Sequence, residues 1–122
     1  MNDKLKDSGK RMSFGENNAM REPETGKGRY DLISPFFIKR LAIHFERGAN
    51  KYADRNWEKG MPFSRYLNSA ERHLEQLKMG CEDEDHLIAC IWNLAAIVHH
   101  QELDELQWDD LPHYLSKKDI KE

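Results

Sequence analysis

No apolar run in this chain is long enough to cross a bilayer. The greasiest stretch, 86–100, is too short for that and is interrupted by His86, Asn93 and His100. No leader-like segment is visible either. Cysteine is scarce. Cys81 is read at the start of a helix and Cys90 inside it, so a disulfide between them is not expected. Reduced thiols and a cytoplasmic setting are the expectation. A surplus of one charge is also missing. Against 22 Asp and Glu stand 19 Lys and Arg, a formal net charge of -3, which argues against general nucleic-acid binding and against a membrane-surface role. No internal repeat is evident, and nothing reads as a strand pair. What is left, in 122 residues of which 34% are charged, is one water-soluble domain.

Several chemical signatures are absent as well. Gly26-Lys27-Gly28 resembles a piece of a phosphate loop, but no Ser or Thr follows, the upstream glycine spacing is wrong, and no apolar strand precedes it. A metal phosphohydrolase of the His-Asp type needs a His-Asp dipeptide, and the chain has only Asp85-His86. A zinc site calls for Cys or His pairs at tight spacing. His99 and His100 are adjacent and point to different sides of a helix, so no zinc site is expected.

What is present is helical periodicity. The fold expected is all-α, with a three-helix core at about 34–51, 62–79 and 84–104, preceded by a flexible polar arm over 1–25. Residues 26–122 then form a single all-α domain. Ser34-Pro35 starts the first helix as N-cap and first-turn proline, and Phe37, Ile38, Leu41, Ala42, Phe45 and Ala49 follow at helical spacing. Lys39, Arg40, Glu46 and Arg47 fill its other side. Pro62 opens the second helix, whose stripe is Phe63, Tyr66, Leu67, Ala70, Leu74 and Leu77, and Gly80 closes it. The third helix is apolar on nearly every side except for His86, Asn93 and His100, which fall on one line. That line must find partners, and it is expected to face a ligand or lie just beneath one. A helix so apolar all round predicts a homodimer or higher assembly built on it. Leu106, Trp108, Leu111, Tyr114 and Leu115 form a short tail that folds back or grips another subunit.

Two places invite a binding reading. The loop 52–61 concentrates Tyr52, Arg55, Asn56 and Trp57, flanked by Lys51 and Lys59. Aromatic rings and guanidinium groups stack on bases, an amide pairs with a base edge, and lysines meet phosphates. A Trp that plugs the gap between two helices is an equally good account. Lys27 and Arg29, beside flexible glycines, can wrap an anion or form a basic surface turn. The acidic turn 82–85 either caps a helix or joins Glu71 or Glu75 in a hard-cation site, giving Glu71, Glu75, Asp83 and Asp85 as metal candidates.

From Gly26 onward the chain resembles a family. The matching residues are Gly26-Lys27-Gly28-Arg29-Tyr30-Asp31-Leu32-Ile33, Gly48-Ala49-Asn50-Lys51-Tyr52, Asp54-Arg55-Asn56-Trp57-Glu58-Lys59-Gly60, Pro62 to Tyr66, Arg72-His73-Leu74, and His86-Leu87 through Trp92-Asn93. They look like the phage-associated N-terminal domain of dATP/dGTP diphosphohydrolases, considered beside the MazG-like all-α nucleotide pyrophosphohydrolases. The resemblance implies an all-α oligomer, from a phage or prophage and so in a host cytoplasm, that handles a purine nucleotide. MazG-like enzymes hold magnesium with Glu-x-x-Glu and Glu-x-x-Asp pairs on facing helices. Neither pattern occurs in the second and third helices here, and Ala89 stands where the family carries a second His.

Two functions follow as expectations. One is pyrophosphohydrolysis of a purine (d)NTP to monophosphate and pyrophosphate with Mg or Mn, with Lys51, Arg55 and Lys59 on the phosphates. The other is a non-catalytic sponge that sequesters a nucleotide-derived signal to blunt host anti-phage defence. In that reading Arg29, Tyr52, Arg55, Asn56, Trp57, Arg72, His73 and Asn93 supply the binding contacts, and Lys27 and His86 are further ligand-binding candidates in either reading. A purely structural helical oligomer is the third and plainest expectation.

Overall fold

The computed structural model describes residues 9–116, so the first eight residues of the expected arm lie outside it. Three helices carry the fold: α1 (Pro35–Lys51), α2 (Phe63–Lys78) and α3 (His86–Glu102). Ser34 is the N-cap of α1 and Pro35 its first residue, although the Ser side chain makes no capping bond. Helix α2 ends as Gly80 requires. The glycine takes φ 80°, its N–H donates to the Leu77 carbonyl, and the Cys81 N–H donates to the Gln76 carbonyl. This double bond pattern closes a helix whose C′ residue is left-handed.

α2 and α3 form an antiparallel hairpin. His73 meets His86 near the connecting turn, and Tyr66 meets His100 at the far end. Ala70, Ala89 and Ala96 are all buried, and side chains this small let the two helices approach closely. α1 runs parallel to α3: Arg40 reaches Asp85, and one to two turns later His44 and Phe45 reach Trp92. No residue of α1 is fully buried. It therefore lies on α3 as a partial cover, and a cleft is left along one edge.

The core sits at the end of the hairpin remote from the α2–α3 turn. Phe63 and Tyr66 are fully enclosed with Ala96, and Trp57, Trp92, Ile97, Trp108 and Leu111 pack round them. The tail folds back on its own chain. A short 3-10 turn, Leu106–Trp108, lays the indole of Trp108 on Gly60. Beyond it, Asp110 accepts from the Ser64 backbone N–H at 2.8 Å and the Ser64 hydroxyl at 2.5 Å. The N-cap of α2 is Pro62, which has no side-chain acceptor, so a carboxylate from the tail satisfies that end instead.

One expectation is corrected here. The segment before Gly26 does contain a strand pair, β1 (Met12–Phe14) and β2 (Ala19–Arg21), antiparallel with Ser13 opposite Met20. The turn between them supplies left-handed backbone at Gly15 and Asn18, residues that tolerate it best. Both strands are exposed, so the hairpin buries nothing and left no apolar alternation in the sequence. An ion pair between Arg11 and Glu22 brackets it. The core is nonetheless the all-helical one expected. Among the described residues no helix is long and apolar enough to cross a membrane, and both cysteines are free thiols.

Candidate functional site

The cleft beside α1 holds about 370 Å³. One wall is α1, from which Arg40, Ile43, His44 and Arg47 point inward. These positions fall at i, i+3, i+4 and i+7, one face of a helix. The other wall is the turn Glu82-Asp83-Glu84-Asp85, with Ile88 as floor. Cations and acids thus confront each other across one groove.

The acidic turn is held by specific bonds. Asp85 is the N-cap of α3 and accepts from the Ile88 N–H at 3.2 Å. Its carboxylate also takes a two-point bond from Arg40, at 2.8 and 2.5 Å. The guanidinium holds the Asp85 carboxyl below the usual range, and the pair raises Arg40 in turn. Asp83 accepts from the His86 Nε2–H at 2.7 Å, and that bond lowers its pKa too. On the opposite wall Arg47 carries no ion pair among the described residues, so its charge is available to an incoming anion. Burial lowers His44, against the opposing pull of Glu84. It is therefore neutral over more of the pH range than an exposed histidine and can donate or accept a hydrogen bond.

A second, apolar slot of about 190 Å³ adjoins the cleft. Phe36, Phe37, Leu87 and Ile91 line it, and Arg40 and Ile88 belong to both spaces. Phe36 is 77% exposed, an open surface that a flat aromatic ligand can cover.

Behind the acidic turn lies a histidine pair. The Nδ1 atoms of His73 and His86 are 2.9 Å apart. A Glu84 carboxylate oxygen stands 3.4 Å from His73 Nδ1 and 3.9 Å from His86 Nδ1. Burial, more than the neighbouring charges, keeps the His73 pKa below its ordinary value. Tight sequence spacing had pointed to no such pair. It arises because the hairpin brings together residues from two helices.

The residues singled out from sequence separate into groups. Asp83 and Asp85 line the cleft, and His73 and His86 sit behind it. Glu71 and Glu75 are exposed on α2 and line neither space, with Glu75 paired to Lys78 at 2.8 Å. Lys27 is exposed ahead of α1, and Arg29 is spent on a two-point pair with Asp31. Lys51 closes α1, with its ammonium 5.3 Å from the exposed Tyr52 ring. Arg55 takes a left-handed backbone and pairs with Glu58 at 2.6 Å. Asn56 begins a 3-10 turn that ends at the exposed Lys59. Trp57 is half-buried, edge-on to Phe45 at 5.4 Å and to His99 at 4.5 Å, which is the packing role. Arg72 is exposed on α2, with a long contact to the Ser69 hydroxyl.

The polar line of α3 is satisfied within the chain. His86 meets His73, the Asn93 amide donates to the Ala89 carbonyl at 2.8 Å, and His100 lies between Tyr66 and Glu105. Sequence reasoning passed over Arg40, His44, Arg47, Glu84 and the Phe36–Phe37 pair. The i, i+4, i+7 spacing of three basic side chains on α1 was the available signal.

Comparison with known proteins adds one finding. The model of a family described as dATP/dGTP diphosphohydrolase, N-terminal, matches residues 17–110. No curated protein and no solved structure matches the chain.

Proposed function

The chain belongs to the dATP/dGTP diphosphohydrolase N-terminal family, and from that premise we propose that it binds a purine nucleoside triphosphate in the α1–α3 cleft and hydrolyses it to monophosphate and diphosphate. The observation that carries the binding is the shared wall. A polar cleft with an unpaired Arg47 and an apolar slot with an open Phe36 meet at Arg40 and Ile88. A nucleotide has that same division, a flat apolar base joined to a string of anionic phosphates. The base stacks on Phe36 and Phe37. The phosphates run along Arg40, His44 and Arg47, where charge-assisted hydrogen bonds are strongest.

Hydrolysis asks for a divalent ion. Magnesium or manganese keeps several waters and needs only one or two carboxylates besides the phosphates. Glu82 and Asp83, both on the cleft wall, fit that demand. When bound, such an ion neutralises phosphate charge and lowers the pKa of an attacking water. The chain's own part is to hold the base and align the phosphates against the acidic turn.

The test is incubation with each dNTP and Mg or Mn, followed by phosphorus NMR for diphosphate release. Turnover of dATP or dGTP that falls at least tenfold in Arg47→Ala supports the proposal. Sequestration is the second reading, favoured by the engagement of Asp85 with Arg40 and of Asp83 with His86. Its mark is intact nucleotide recovered from denatured protein with no diphosphate formed.

A further inference from the structure

The paired histidines behind the acidic turn have no part in that reading. Their geometry is specific. Asp83 accepts from His86 Nε2 at 2.7 Å, so the proton of a neutral His86 sits on Nε2 and Nδ1 is left with its lone pair. That lone pair is aimed at His73 Nδ1, 2.9 Å away. The His86 side chain is 1% exposed and that of His73 12%, while Glu84 is half-exposed. Two ring nitrogens and one carboxylate oxygen therefore converge from α2, the turn and α3, all within 4.8 Å of one another.

We infer that His73, His86 and Glu84 form a site for one borderline divalent transition ion, of the zinc type, with Asp83 as the positioning residue behind His86. Zinc bonds of roughly 2.0–2.2 Å to nitrogen and oxygen place tetrahedral donors about 3.3–3.6 Å apart. The three separations here, 2.9, 3.4 and 3.9 Å, bracket that figure. The donor set selects the ion. Imidazole suits zinc, copper, iron and nickel, whereas magnesium and calcium want oxygen. A carboxylate on the far nitrogen of a ligating His fixes its tautomer and strengthens its donation, and Asp83 is so placed. Both rings ligate as neutral imidazoles, so the proton that His73 Nδ1 shares with His86 moves to His73 Nε2 when the ion enters. Glu84 also lines the cleft.

The inference stands whether or not a nucleotide binds, and the metal alone tests it. Protein stripped with a chelator and dialysed is titrated with Co²⁺, reading its visible absorption bands, and then with Zn²⁺ against a chromophoric chelator. The expected result is one ion per chain, Co²⁺ displaced by Zn²⁺, and no competition from Mg²⁺ at the same concentration. His73→Ala and Glu84→Gln each weaken binding at least tenfold. Glu84 is an exposed turn residue, so its variant keeps the fold, which circular dichroism verifies. Absence of a stoichiometric ion in the parent protein, or unchanged affinity in either variant, overturns the assignment.

Discussion

Arg40 and Arg47 are read from sequence as the solvent side of an amphipathic helix, and by periodicity that is where they belong. What periodicity does not carry is which neighbour approaches that side. The turn 82–85 comes within bonding reach only because Asp85 caps α3 beside α1. Asp85 is therefore where pH should act. Its pKa is held down in the folded chain by Arg40, so its stabilising effect is complete above the unfolded carboxylate value. That effect is lost as pH falls through the lower folded value. Urea midpoints measured from about pH 5 to about pH 3, spanning the ordinary Asp range, are expected to fall with acid. They should fall less steeply in Asp85→Asn. A second single-residue prediction concerns Gly60, whose φ of 87° already disfavours a side chain. An added Cβ there would also overlap the Trp108 indole nitrogen. Gly60→Ala is expected to destabilise by about 1–3 kcal/mol, read from chemical denaturation.

At the scale of elements, the three helices and their ends were legible because each carries its own punctuation: Ser34-Pro35, Pro62, Gly80 and the acids before His86. The β-hairpin was not, because its strands have three residues each and bury no face, so no period marks them. Trp57 shows a different limit. Its sequence context fits stacking on a base and plugging a gap equally well, and only the placement of Phe45 and His99 decides for packing. The histidine pair also escapes a linear reading, since its members lie on separate helices. The hairpin of α2 and α3 should be the stability core. Phe63→Ala, at a fully buried position, is expected to cost about 3–5 kcal/mol and to lower the denaturation midpoint far more than Phe36→Ala, whose ring faces solvent.

For the whole molecule, α1 leaves one side of α3 open, and Leu94 and Val98 remain exposed along it. A second copy of this chain is the proposed cover, in line with the assembly expected from the apolar third helix. Light scattering after size exclusion should return at least twice the 14.4 kDa chain mass, and Val98→Asp should shift the protein toward monomer. A monomer at high concentration would count against self-association. The central claim concerns the cleft, and calorimetric titration of dATP and dGTP into the parent protein and Arg47→Ala tests it most directly. Saturable binding of one purine triphosphate per cleft, weakened at least tenfold in the variant with its melting temperature unchanged, is the result the account predicts. Equal affinity in the two proteins, or no binding to the parent, would contradict it.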